Sequence, residues 1–369
     1  MKDNVVPIRS VLIFGGAGFI GSNWAHRLLR TTDAKVHIFD NLSRRGVHHN
    51  VKWLQKAALG SDRLQITVGD VRDAALVQRA VQKATEIYHF AAQVAVTTSV
   101  SDPRFDFDVN VGGTFNILEA ARQSGRYPFI LFTSTNKVYG NMCSQPLLGT
   151  ARRYCCDEQQ AVNETQPLDF HSPYGCSKGA ADQYVHDYSR IFNLPTVVFR
   201  MSCIAGPRQF GNEDQGWVAH FLYSALGGQP ITIYGDGRQV RDVLAVEDLM
   251  RAFEGVRANL RKTAGQIYNV GGGMANTTSL LELIDDIDSL TGYRLRYSTE
   301  AVRPGDQPLY VTDYSKLRRH IGWEPNISVR DILRNIHEWR RQNADFFQVP
   351  TLAAQLTIPQ FARVPEAAS

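Results

Sequence analysis

Tyr174 and Lys178 are one helical turn apart, so a helix through them carries a phenol and an ammonium on one face. An ammonium beside a phenol stabilises the phenolate. The product would be a general base whose pKa is drawn towards working pH. Upstream, Phe132-Thr133-Ser134-Thr135-Asn136-Lys137-Val138-Tyr139-Gly140 offers the hydroxyl of Thr135 as a third member, placed to bond the same substrate oxygen. The Tyr-x-x-x-Lys spacing alone is also that of an ordinary exposed helix pair. Its weight comes from the elements that must hold it.

Val11-Leu12-Ile13-Phe14 is a continuous apolar run of the buried parallel-strand kind. Gly15-Gly16-Ala17-Gly18-Phe19-Ile20-Gly21 follows, then a helical stretch through Leu29. Strand, glycine loop and helix are the context of a dinucleotide fingerprint, here spaced G-x-x-G-x-x-G. Gly15 permits the tight turn and Gly18 lets the backbone approach a pyrophosphate, while Gly21 lets the helix pack on the sheet. Phe19 and Ile20 open the helix whose N-terminus faces the phosphates. The next strand, Lys35 to Phe39, ends in Asp40. A carboxylate there can hold both adenosine-ribose hydroxyls and repel a 2′-phosphate, which argues for NAD over NADP. Asn41, Ser43 and Arg44 join it as cofactor candidates, although Arg44 and Arg45 would also suit a 2′-phosphate.

Leu64 to Val68 is a third strand, followed by Gly69-Asp70-Val71. Asp70 stands where an adenine contact is expected, or caps the helix beginning near Asp73. Glu86 to Phe90 is the fourth strand, and the small residues of Ala91-Ala92-Gln93 let a cofactor lie across the sheet edge. A helix over about Phe107–Gln123 carries Asn110. Tyr127 to Phe132 is the fifth strand and delivers Thr133 to Thr135 at its C-terminal end, the edge where open α/β sheets bind ligands. Residues 140–172 read as a long excursion. The Tyr174 helix runs to about Phe192, and Pro195 to Arg200 is the sixth strand, ending before Met201.

Strands alternating with helices across 1–202 give an α/β fold with a doubly wound parallel Rossmann sheet. A smaller C-terminal α/β substrate domain is expected over 203–345, with 265–270 returning to the main body and 346–369 as a tail.

The chain has 369 residues, 43% hydrophobic and 21% charged, with a net charge of +4. That is ordinary for a globular enzyme. The basic residues are dispersed and form no nucleic-acid module, and no apolar run suits a membrane span. Met1-Lys2-Asp3-Asn4 leads towards a strand without a signal-peptide pattern. Cys143, Cys155, Cys156, Cys176 and Cys203 are odd in number and lack C-x-x-C spacing. They indicate neither a disulfide framework nor a metal site, and fit a reducing cytoplasm.

Taken together, Gly15-x-x-Gly18-x-x-Gly21, Asp40, Gly69-Asp70, Ala91-Ala92, Asn110, Thr135 and Tyr174-x-x-x-Lys178 resemble the extended short-chain dehydrogenase/reductase superfamily. The likeness covers about residues 9–342. Within it, five stretches are similar to the CDP-tyvelose 2-epimerases, also called CDP-paratose 2-epimerases. They are Phe39 to Arg44, Gln93 to Ser99, Ser134 to Gly140, Leu168 to Lys178 and Asp214-Gln215-Gly216-Trp217. Two positions depart from that pattern. Arg104 replaces a cysteine, which offers the ligand another cation, and Met201 replaces a histidine.

The resemblance implies a homodimer or homotetramer with tightly held NAD, acting on a nucleotide-linked hexose. A dimer through the Phe107–Gln123 and Tyr174–Phe192 helices is expected. Tyr174 would take a hydroxyl proton while hydride leaves the same carbon; the ketone reorients and hydride returns to its other face. Thr135 would position the hydroxyl, and Lys178 would hold the nicotinamide ribose and depress the pKa of Tyr174. C2 rather than C4 as the inverted carbon rests on the resemblance. Arg241 and Arg303 stand where related enzymes hold the diphosphate, with Arg208 and Lys137 as further cations. Gln93, Asn136, His171 and Gln209 are candidate sugar contacts, and Ile233 and Tyr234 could flank the base or be core strand positions.

A 4,6-dehydratase needs an acid–base pair after the threonine, and Asn136-Lys137 cannot supply it. A UDP-sugar 4-epimerase is the alternative enzyme. A catalytically silent NAD-binding scaffold would be expected to lack Tyr174 or Lys178.

Overall fold

Apolar residues alternate between two faces along the strands of a seven-stranded parallel sheet, and each face is covered by helices. Val11 and Ile13 point into one core while Leu12 and Phe14 point into the other. This two-sided burial is what makes the strands read as unbroken apolar runs. The structure is a computed structural model, and the described residues are 9–142, 148–155, 161–303 and 305–347. Met1 to Asn4, Cys143, Cys156 and the tail beyond 347 lie outside them.

In chain order the strands are β1 (Ser10–Phe14), β2 (Lys35–Asp40), β3 (Leu64–Val68), β4 (Glu86–His89), β5 (Phe129–Thr135), β6 (Thr196–Met201), β7 (Cys203–Ala205), β8 (Ile231–Tyr234), β9 (Val240–Ala245), β10 (Gln266–Val270), β11 (Thr277–Ser279), β12 (Tyr297–Glu300) and β13 (Leu309–Tyr310). The main sheet runs β10-β6-β5-β4-β1-β2-β3. The chain builds β1, β2 and β3 in one direction, then crosses to β4 on the other side of β1. That reversal leaves a crevice beyond the C-terminal ends of β1 and β4, where ligands of such sheets bind. β5 runs on to Thr135, so Thr133, Ser134 and Thr135 are strand residues in register with Phe199, Arg200 and Met201 of β6.

The second half gives more to the main body than β10. The helix Val246–Ala258 puts Leu249, Phe253 and Val256 into the same core as β1 and β6, where Leu317 and Trp323 join them. A third core gathers β7, β8 and β9 with the helices Trp217–Leu226, Leu280–Thr291 and Val329–Gln342. Pairs β7–β9, β11–β9, β13–β9 and β12–β8 form its small sheets.

The expected helix over 107–123 is three pieces: Pro103–Phe107, a π-helical turn Asp108–Gly112, and Gly113–Gln123. Such π-helical insertions gather near functional sites. Among the described residues, no helix is long and apolar enough to cross a membrane.

Candidate active site

The helix Ser172–Phe192 positions the phenol and the ammonium. Pro173 opens it, and the Ser172 hydroxyl accepts a bond from the N–H of Gly175 at 3.2 Å. Its buried face is Tyr174, Ser177, Lys178, Ala181, Asp182, Val185 and Tyr188, the spacing of one helical stripe. The N-terminal half of that stripe is polar, which a packing face does not need. Asp182 is neutralised by Arg200 through two bonds of 2.9 Å.

A cleft of about 620 Å³ lies over the β1/β4 crevice. Of the seventeen residues after Asn110 is set aside, each cofactor candidate lines it: Gly15, Gly18, Phe19, Ile20, Asp40, Asn41, Ser43, Arg44, Asp70, Val71, Ala91, Ala92, Gln93, Thr133, Tyr174, Lys178 and Met201. Thr135 and Gln209 line it as well.

The residues present fit a dinucleotide. Gly15 has φ +76°, and a Cβ there would stand 2.7 Å from the backbone nitrogen of Ala91, so the turn after β1 closes on the end of β4 only with glycine. No side chain caps the helix Phe19–Thr31, and its first turn carries no acidic residue, which leaves N–H groups for an anion. Asp40 accepts the N–H of Ala17 at 3.0 Å on Oδ2 and that of Leu42 at 2.8 Å on Oδ1. It therefore ties the glycine turn to the end of β2, and each oxygen keeps a second lone pair for a ribose hydroxyl. Burial pushes its pKa up, against the pull of these N–H groups and of Arg44.

Lys178 donates to the carbonyl oxygen of Thr133 at 2.8 Å and sits 4.1 Å over the ring of Phe132. Burial draws its pKa down to about 7, although Asp182 and Asp106 raise it. Tyr174 departs from the sequence expectation. Its pKa is pushed up to about 12, because burial of the phenol outweighs the hydrogen bond to Thr135 and the charge of Arg44. The ammonium is turned to the Thr133 carbonyl, and the charges that act on the phenol in the free protein are those of Asp106 and Arg44.

Several expected contacts are not made at the cleft. Asn110 is buried beneath it: its amide exchanges two 3.0 Å bonds with the backbone of Gln93 and donates to Asp106 and Ser177. It positions the Gln93 turn rather than touching a cofactor. The Gln93 side chain is itself spent on Ala95 and Asp106, although the residue borders the cleft. His171 is exposed and pairs with Asp169 at 3.0 Å. Ile233 is 1% exposed and belongs to the third core, because β8 turns its alternate side chains inward. Arg104 is exposed and pairs with Asp108 one turn on, so it adds no cation beside a ligand.

Asn136, Lys137, Tyr234, Arg241 and Arg303 do not line the cleft. The Asn136 amide meets Gln307 at 3.3 Å. One oxygen of Asp306 holds Lys137 at 3.2 Å and Arg241 at 2.8 Å. Burial draws the Lys137 pKa down. Arg303 lies 3.7 Å over the ring of Tyr234, whose hydroxyl donates to Glu213 at 2.5 Å.

Asp106, Asp306, Gln307 and Ser177 escaped the sequence reading. Helical spacing could have found Ser177 on the Tyr174 stripe and Asp106 one turn before Asn110. Nothing in the sequence joined Arg44 to Gln215, which meet at 2.5 Å across the cleft.

The profile of the family described as GDP-mannose 4,6 dehydratase matches residues 12–336. The chain is similar to CDP-paratose 2-epimerase of Salmonella typhi, 43% identical over 337 residues, covering 89% of this chain and 98% of that protein. It is similar to dTDP-glucose 4,6-dehydratase of Neisseria gonorrhoeae, 32% identical over 91% of this chain and 98% of the other. Among solved structures, the Thermus thermophilus UDP-glucose 4-epimerase in complex with NAD matches with a TM-score of 0.74 and 32% identity, over 90% of this chain and 99% of that one.

Proposed function

The chain belongs to the GDP-mannose 4,6 dehydratase family, with NAD as its cofactor, and on that premise we propose that it inverts C2 of a CDP-linked hexose of the CDP-paratose/CDP-tyvelose type. The supporting observation is the 43% identity to a CDP-paratose 2-epimerase along nearly the whole of both chains. The residues after Thr135 favour epimerisation over dehydration. The amide of Asn136 is turned to Gln307 and the ammonium of Lys137 to Asp306, and neither can serve as a carboxyl acid or base.

Tyr174 takes the hydroxyl proton of the sugar, and the Thr135 hydroxyl bonds the same oxygen and orients it. When bound, NAD supplies the hydride acceptor and a positive ring beside the phenol. Lys178, hung on Thr133, presents its remaining donors to the ribose. Its low pKa lets the ammonium respond to charge around it. Arg241, with Lys137 beside it, is assigned to the substrate diphosphate. Residues 1–202 bind the cofactor and 203–345 the nucleotide sugar in this reading.

A second reading, C4 inversion of a UDP-sugar, draws on the likeness to the UDP-glucose 4-epimerase structure. A homodimer through the helices Gly113–Gln123 and Ser172–Phe192 belongs to the same proposal. Phe115 and Tyr184 are exposed with their rings 5.9 Å apart, and Ile191 is 63% exposed.

The test is proton NMR in D₂O with CDP-paratose, CDP-glucose and UDP-glucose offered separately. Inversion at C2 of a CDP-sugar without deuterium uptake is expected. Inversion at C4 of UDP-glucose would replace the reading with the second one, and deuterium uptake would refute internal hydride return.

A further inference from the structure

Arg208 is a half-buried cation bordering the cleft whose charge has, among the described residues, neither a counter-ion nor a polar partner; Arg45, also at the cleft, is exposed to solvent. It follows β7 in the run Gly206-Pro207-Arg208-Gln209-Phe210 and lines the cleft. Among the described residues no acceptor bonds its guanidinium, and Nη1 is buried without a partner. Arg44, by contrast, is bonded to Gln215, and Lys178 to Thr133. The backbone at Arg208 has φ +69°, a conformation that an L side chain adopts at a cost and that gathers at ligand sites.

The guanidinium is held in place by rings. It lies 3.6 Å over Trp53 and 5.9 Å from the ring of Trp339. Trp53 is on the helix Val47–Ala57 of the dinucleotide-binding half, and Trp339 is on the helix Val329–Gln342. Stacking orders the cation but leaves its five N–H donors unspent, and burial of an unpaired charge is costly. Burial accordingly draws its pKa down to about 10, with no opposing charge to restore it.

The position of the segment indicates which anion it serves. The carbonyl of Pro207 accepts a 3.2 Å bond from Asn23, in the first turns of the helix that follows the glycine loop. The charge of Arg208 is also felt by His26, one turn further along that helix, whose ring stacks on Trp53 at 3.9 Å. The cations of the sugar-nucleotide side, Lys137 and Arg241, are joined to Asp306 and do not border this cleft.

We propose that Arg208, seated on Trp53 and Trp339, is a fixed cationic ligand for the pyrophosphate of the bound dinucleotide, opposite the N–H groups of the glycine loop. A guanidinium fork suits two phosphate oxygens at once. The C-terminal helix thereby contributes to cofactor retention through Trp339. The inference concerns the cofactor alone and stands whichever sugar carbon is inverted.

The test uses the full-length protein stripped of nucleotide, with ADP-ribose, adenosine and CDP as calorimetric probes. Arg208→Gln is expected to weaken ADP-ribose by about 10- to 100-fold, the range of a charge-assisted hydrogen bond, with adenosine and CDP unchanged. Arg208→Lys, which keeps the charge, is expected to fall between the two. The salt dependence of ADP-ribose binding should be shallower in Arg208→Gln than in the wild type. Equal losses for ADP-ribose and adenosine would mean a merely structural arginine and would overturn the proposal. Loss of CDP binding with ADP-ribose intact would assign Arg208 to the substrate diphosphate instead, and so would also overturn it.

Discussion

The ammonium of Lys178 hangs from the backbone carbonyl of Thr133, 2.8 Å away, and is not paired with a carboxylate. The strand that carries Thr135 thus also fixes the lysine that serves Tyr174. The two nearby acids act at longer range. Asp182 is neutralised by Arg200, so of these two it is Asp106 whose charge has no ion pair among the described residues.

Asp106→Asn should move the pH profile of turnover. The Asp106 charge raises both Lys178 and Tyr174. Removing a negative charge near an ammonium lowers its pKa, so Lys178 would lose its proton at a lower pH than about 7 in the free enzyme. The alkaline limb of kcat/KM is expected to shift acidward, and Asp106→Glu to restore it. The other charged or titratable groups around the pair are Asp182, Arg44 and His89, and the variant leaves them in place. A lower rate with an unmoved limb would show that Asp106 only packs.

Asp306→Asn should destabilise the free protein by about 2 kcal/mol, since it leaves Lys137 and Arg241 without their shared counter-charge in a mostly buried site. The sign with pH follows from Asp306 itself. Burial would raise its pKa, but Arg241 and Lys137 outweigh that and hold it below the usual value. A depressed carboxylate stabilises above its unfolded-state pKa and loses that contribution as pH falls through the folded one. Urea denaturation should therefore show a gap between wild type and variant at neutral pH that closes in acid.

Ile233→Ala should cost stability and spare binding. The side chain is in the third core, where truncating an isoleucine costs about 2–5 kcal/mol. Denaturant midpoints should fall while KM for the nucleotide sugar stays put. A raised KM with unchanged stability would return Ile233 to the substrate.

Arg104→Ala should do almost nothing. Arg104 is exposed and its pair with Asp108 is an i,i+4 surface contact screened by solvent, which adds little to stability. Unaltered kcat and KM are expected. A clear change in either would mean that this departure from the tyvelose pattern bears on the ligand after all.

The local chemistry of the chain was legible without coordinates. Apolar runs of parallel-strand type, the glycine spacing, Asp40 at a strand end and the Tyr174–Lys178 turn are set by short-range pattern, and each maps onto one element or its end. The family could be read the same way, because its motifs fall in a fixed order along the chain. What the tertiary structure alone decided was which side chains have polar partners already. Asn110 and Gln93 are spent on each other and on Asp106, and Ile233 faces a core rather than a ligand. Arg241 is held by a carboxylate sixty-five positions away, whereas Arg208 has rings and, among the described residues, no acceptor. These differences arise from contacts between segments remote in sequence, and from burial, which raised the Tyr174 phenol where the sequence pattern alone predicted a lowered one. Spacing along one chain specifies what a helix or strand presents; it carries no information on what the facing element offers in return.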